Sequence, residues 1–177
     1  MLLTNRGLSF DFVLGRLPRA PYDIFIDAST DWGIGGCCDN EYFMIPWTKL
    51  QAFEQDVIAR KELLAALVAL LCFSPSIKGQ LVTLYTDNTN VRDWLAAGRS
   101  SKLKGLNYLA LWELLKYNAS CKTSVKWLPS SHNISADKLS RGITPLWLEE
   151  RGRQIHCNLF WLAHSWKHVE EAWRAFN

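Results

Sequence analysis

Eleven consecutive apolar residues, Leu63 to Phe73, follow directly on a polar stretch that holds Glu54, Gln55, Asp56, Arg60, Lys61 and Glu62. From about Phe53 to Phe73 this reads as one helix. Ser74-Pro75 should stop it, because a proline disfavours helical backbone in the residue before it. A helix that is apolar on every side cannot lie on a surface, so its second half must be enclosed by other elements. It is also well short of the roughly 20 apolar residues a membrane-spanning helix needs. With 177 residues, 49% of them hydrophobic and 21% charged, the chain can build a globular core without disulfide or metal staples.

Short β-rich runs supply what encloses that helix. Ile24-Phe25-Ile26 ends in Asp27, the Gly-rich run Trp32 to Cys38 is bounded by Asp39-Asn40, and Tyr42 to Ile45 runs into Pro46. Such spacing and turn chemistry predict an antiparallel meander. Leu81 to Thr86 predicts a fourth strand ending in Asp87. Asn88 or Thr89 can then cap a short helix that runs through Ala97 and is closed by Gly98. A helix over about Leu106 to Tyr117, a strand over Val125 to Leu128 stopped by Pro129, and a helix capped by Asn133 or Ser135 complete the series. The order βββαβααβα predicts an α/β domain, a mixed five-stranded sheet with helices on its faces.

Three segments follow from this pattern. Residues 1–20 read as a linker or edge segment, residues 21–144 as the domain, and residues 145–177 as a Trp-rich helical extension. In the extension Leu159, Leu162, Trp166, Val169, Trp173 and Phe176 recur at intervals of three and four, one stripe of an amphipathic helix. Such a stripe serves either to pack the helix on its own domain or to dock another subunit. His164 and His168, with His156 and Cys157 upstream, are zinc-ligand types whose spacing matches no strong zinc pattern.

The formal net charge of +3 is small, but its distribution is uneven. Between residues 92 and 126, seven basic residues (Arg92, Arg99, Lys102, Lys104, Lys116, Lys122, Lys126) stand against Asp93 and Glu113. A basic stripe beside an acidic cluster suits an enzyme acting on polyphosphate with a metal ion, although it is also what a solvated helix face looks like. The five cysteines are odd in number, two are adjacent, and none forms Cys-x-x-Cys. With no secretory signal in the first residues, an intracellular, reducing compartment and no membrane association are expected.

Four acids share a placement. Asp27 and Asp87 end strands, Glu62 is the last charge before the buried half of the long helix, and Asp137 lies in the first turn of the last domain helix. In an open α/β sheet the strand ends and the loops after them form the site crevice. Were the strands of Asp27 and Asp87 neighbours, their carboxylates would meet, with Glu62 and Asp137 reaching in from helices. Two carboxylates about 4 Å apart repel by roughly 4 kcal/mol at an effective dielectric near 20. A hard divalent ion removes that repulsion, and two such ions form the clamp used in phosphodiester hydrolysis.

Four segments carry a resemblance. Ile26-Asp27-Ala28-Ser29 with Gly33-Ile34-Gly35, Lys61-Glu62-Leu63-Leu64-Ala65, Tyr85-Thr86-Asp87-Asn88, and Asn133 through Ala136-Asp137 to Ser140-Arg141 occur in this order. Over about residues 22–142 the chain resembles the ribonuclease H domain of retroelement reverse transcriptases, of the tyrosine-recombinase, gypsy-type and hepadnaviral kinds. The resemblance implies an RNase H-like fold, two Mg²⁺ (or Mn²⁺) ions, and hydrolysis of the RNA strand of an RNA–DNA hybrid. It implies Asp27, Glu62, Asp87 and Asp137 as ligands, and Ser29 and the Gly33 backbone beside the hybrid's minor groove, where a 2′-OH marks RNA. Asn88 would contact a phosphate or sugar, and Arg99, Lys102 and Lys104 would track the DNA strand. His132, only five residues before Asp137, stands nearer to that acid than the mobile histidine of cellular ribonucleases H does; it is a candidate proton shuttle or an ordinary loop residue. A polymerase domain of the same polyprotein is the implied partner, in the cytoplasm, nucleus or a retroelement particle. The alternative is a catalytically silent RNase H-like module that binds or scaffolds; another nuclease or strand-transfer enzyme of this architecture is a third reading.

Overall fold

The computed structural model describes residues 21–99 and 103–176, so the predicted linker of residues 1–20 and the candidate Lys102 lie outside the described residues. The chain order is β1 (Tyr22–Ala28), β2 (Gly33–Cys38), β3 (Glu41–Pro46), α1 (Gln51–Glu54), α2 (Ile58–Ile77), β4 (Leu81–Thr86), α3 (Thr89–Ala97), α4 (Leu103–Ala119), β5 (Lys122–Trp127), α5 (Ile134–Ser140), α6 (Leu146–Arg151), β6 (Arg153–Gln154) and α7 (Leu159–Phe176).

Helix α2 is enclosed as its composition demands. Every residue from Lys61 to Leu70 is buried, and burial of each leucine in it is worth about 1.5–3 kcal/mol. Its ends differ from the sequence expectation. Val57 is extended (φ −68°, ψ 150°) and separates the helix from the single turn α1. The polar residue Asp56 is used at this break: its carboxylate accepts from Arg60 Nε at 2.8 Å and from the Tyr108 hydroxyl at 2.6 Å. At the other end Pro75 does not stop the helix, which runs on to Ile77. A proline in the last turn forfeits one backbone bond and leaves the rest of the helix intact.

The sheet is mixed, in the order β5-β4-β1-β2-β3-β6. The meander β1-β2-β3 is antiparallel as predicted, while β4 and β5 run parallel to β1. It has six strands rather than five. The sixth is the two-residue β6, which pairs with Glu41 and Tyr42 of β3. Ile24, Ile26, Ile34, Phe43, Val82 and Leu84 form the core with α2 and α4. Helix α5 packs against β1 and β2 on the other face. It comes that close because of Gly35, where a Cβ would sit 2.5 Å from atoms of Leu139 and Ser140.

Residues 145–176 are not one helical extension. They form α6, β6 and α7, and β6 joins the domain's own sheet. Leu162 of α7 is buried in the core, and the Trp166 ring stands edge-on to Phe53 (5.1 Å) and Tyr108 (4.5 Å). That part of the amphipathic stripe is therefore covered by its own domain; the side chains of Val169, Trp173 and Phe176 lie outside the description. All five cysteines are free. Among the described residues, no helix is long and apolar enough to cross a membrane.

Candidate metal centre

Parallel pairing brings the first two acids together. Phe25 stands opposite Tyr85, so Asp27 and Asp87, each two residues further on, leave neighbouring strands at one level. Glu62 reaches the same place from α2. Asp27, Glu62 and Asp87 each offer a carboxylate oxygen within 4.8 Å of the others, and among the described residues this is the one such cluster of three or more acids, histidines or cysteines. Asp27 and Glu62 are only 6% and 4% exposed. The three line a cleft of about 510 Å³ together with Asp31, Asn88, Ser130, Asp137 and Arg141.

Each carboxylate is held by a neighbour. The Ser140 hydroxyl donates to Asp27 Oδ2, with the Asp137 carbonyl oxygen 2.8 Å from the same hydroxyl. Glu62 accepts from an Ala28 N–H and, at 3.4 Å, from the Thr86 hydroxyl. The Ser130 hydroxyl donates to Asp87 Oδ2, and the Trp127 indole donates to the Asp87 carbonyl at 2.9 Å.

Electrostatics oppose this arrangement. Burial, then the charges of Asp87 and Asp137, raise the Asp27 carboxyl to about 6, although the Ser140 hydrogen bond and Arg141 pull it down. Burial, then Asp27 and Asp87, raise Glu62 well above the usual carboxylate range. The charged cluster is thus destabilised as it stands. Its donors are all oxygen, with no imidazole or thiolate among them. That set suits hard divalent ions such as Mg²⁺ or Mn²⁺, and the residues fit the expected cofactor.

Asp137 faces the same cleft but stands outside the triad. Its Oδ1 accepts from Arg141 Nε at 2.9 Å and Nη2 at 2.8 Å, an i,i+4 pair on α5. All four expected ligands line the one cleft; three converge within 4.8 Å, and Asp137 is paired with Arg141.

The predicted substrate contacts separate. Asn88 lines the cleft, yet its Oδ1 is engaged as the N-cap of α3, accepting from Asn90 and Val91 N–H. Ser29 lines the cleft, and both Ser29 and Gly33 also serve the packing around it. The buried Ser29 hydroxyl donates to the Ser140 carbonyl at 2.6 Å and accepts the Trp32 and Gly33 N–H groups at 3.1 Å. A Cβ at Gly33 would lie 2.0 Å from the Ile45 oxygen, which explains the glycine without any ligand. His132 is exposed and lines a different hollow, with Phe25, Asn133 and Trp147, so the shuttle role has no support in its position. Arg99 is exposed just past the Gly98 cap and does not line the cleft; Lys104 belongs to α4, with its side chain outside the description.

Sequence reasoning passed over Lys61. This lysine is 4% exposed, donates to the Thr30 carbonyl at 3.0 Å, and sits 4.6 Å from the centre of the Trp47 ring. The Trp47 indole in turn donates to the Ser29 carbonyl at 3.2 Å. Together they pin the cleft-lining loop after β1 to α2. A lysine beside a glutamate gives no hint of this in sequence, because the partners are main-chain carbonyls. Lys61→Met keeps the bulk and removes the ammonium. Losing a charge-assisted bond of about 1.5–3 kcal/mol should speed amide exchange at Thr30–Trp32 by at least about tenfold, measured by hydrogen–deuterium exchange, while exchange in β4 stays unchanged.

No protein-family model matches the chain, and no curated protein is significantly similar to it.

Proposed function

We propose that the chain is an endoribonuclease of RNase H-like fold that hydrolyses the RNA strand of RNA–DNA hybrids, as part of a retroelement reverse transcriptase whose polymerase domain supplies the hybrid. One observation carries this reading: three carboxylates, from β1 (Asp27), α2 (Glu62) and the loop directly after β4 (Asp87), share one cleft within 4.8 Å, two of them almost fully buried. Burying unpaired acids together costs several kcal/mol, and a divalent ion is the partner that offsets it.

Asp27, Glu62 and Asp87 would hold the ions, with Asp137 at the rim. Two bound Mg²⁺ or Mn²⁺ ions supply an activated water and charge stabilisation at the leaving oxygen. The chain's own part is placement. Ser140, Thr86 and Ser130 hydroxyls fix one oxygen each of Asp27, Glu62 and Asp87, so the ligands are set before substrate arrives. Arg141 puts a guanidinium, which matches phosphate in shape and charge, on the cleft wall. The sheet, helix placement and motif order support the RNase H-like reading of the fold.

The test is cleavage of an end-labelled RNA–DNA hybrid beside duplex RNA and duplex DNA. Internal cuts in the RNA strand of the hybrid alone, dependent on Mg²⁺ or Mn²⁺ and absent in EDTA, are expected. Hybrid binding with no cleavage in either ion would identify the silent module instead, and cutting of duplex DNA would identify another nuclease of this architecture.

A further inference from the structure

One turn apart on α7, His164 and His168 direct their rings at each other. The two Nε2 atoms are 2.9 Å apart, and the rings meet edge to face at 89°. Both side chains are exposed. On one flank the Phe160 ring lies nearly parallel to His164, at 6.4 Å. On the other, Glu171 Oε2 is 3.7 Å from His168 Nδ1. The packing side of the helix, with Leu162 and Trp166, is engaged with the domain, so this pair takes no part in the core.

Two neutral imidazoles can share a single N–H···N bond here. A cation shared between the two Nε2 atoms is the alternative to that bond. Metal–imidazole bonds are about 2.0–2.1 Å long, so two nitrogens 2.9 Å apart subtend about 90° at a common ion. That is the cis angle of square-planar or octahedral coordination. Glu171, 3.7 Å from Nδ1 and 3.8 Å from Lys167 Nζ, puts a negative charge beside the pair without a hydrogen bond to it.

We propose that His164 and His168 form a two-histidine clip for one imidazole-preferring divalent cation of the nickel, copper or zinc class, with the remaining coordination positions open to water. Its nitrogen donors set it apart from the all-oxygen centre of Asp27, Glu62 and Asp87, so the protein sorts cations by softness between two sites. The clip ties one turn of α7 to the next.

The test is calorimetric titration of Ni²⁺ into the full chain in excess Mg²⁺, which offers the oxygen centre its own kind of ion. One saturable equivalent is expected. His164→Ala and His168→Ala should each weaken it at least tenfold, and Glu171→Gln by about twofold, through loss of a nearby negative charge. Asp87→Asn should leave it unchanged. All three tail positions are exposed, so these variants keep the fold; far-ultraviolet circular dichroism checks that. No saturable binding in the wild-type chain, or an unaltered isotherm in the double histidine variant, overturns the proposal.

Discussion

Asp87→Asn is expected to remove divalent-dependent cleavage of the hybrid by three orders of magnitude or more, about 4 kcal/mol of transition-state stabilisation, while leaving the metal-free protein at least as stable as before. The two effects have one origin. Asp87 helps to raise both Asp27 and Glu62 by its charge, so in the absence of metal it is a source of strain on the fold. An isosteric amide keeps an acceptor for the Ser130 hydroxyl and deletes the repulsion. Because Asp87 is half-buried, the gain at pH 8 should be modest, about 1–2 kcal/mol after solvent screening. Urea unfolding in EDTA measures it, and the labelled-hybrid assay measures the loss. Retained cleavage removes Asp87 from the ligand set. Lost cleavage together with lost stability would make it a structural residue and the centre something other than a metal site.

Why these acids could be found from sequence, and their surroundings could not, has a physical reason. An Asp closing a β-rich run and a Glu opening an apolar helix are visible one position at a time, and parallel pairing of β1 with β4 then sets two of them side by side. The Gly98 cap was legible for the same local reason: it holds φ at 62°, a conformation glycine adopts without penalty. What the sequence left unread is long-range. The resemblance placed Ser29 beside substrate; that its hydroxyl also binds the carbonyl of Ser140, over a hundred residues away, is a tertiary contact. Arg141 lies four residues after Asp137, a spacing at which helical side chains meet, but that Asp137 is paired there and stands outside the triad is decided by the tertiary fold. Strand β6 has two residues, too few for any periodicity, and owes its existence to the free edge of β3. The Trp166 stripe announced an apolar face, and tertiary packing alone decided that Phe53 and Tyr108 would cover it.

Without divalent ions the protein should become less stable as the pH rises from about 4 to about 6, the reverse of ordinary acid denaturation. Asp27 is raised in the folded state from 3.8 to about 6, chiefly by burial and then by Asp87 and Asp137. Between these values the folded chain keeps a proton that the unfolded chain has released, so unfolding releases a proton and higher pH favours it. Below the lower value both states are protonated and the effect is gone; above the upper one both are ionised and the whole cost is present. A shift of that size corresponds to about 3 kcal/mol, or about 6–12 °C in Tm for a chain of this length. Glu62 moves in the same direction and carries the decline to higher pH. Bound metal favours the ionised carboxylates, so saturating Mg²⁺ or Mn²⁺ should flatten the curve, and the gap between the two curves should widen with pH. Thermal unfolding from pH 4 to 8, in EDTA and in each metal, supplies both curves. In Asp27→Asn the metal-free decline should shrink to the Glu62 contribution. Parallel curves with and without metal would mean that no ion binds at these ionised groups, and the proposed centre would fall with them.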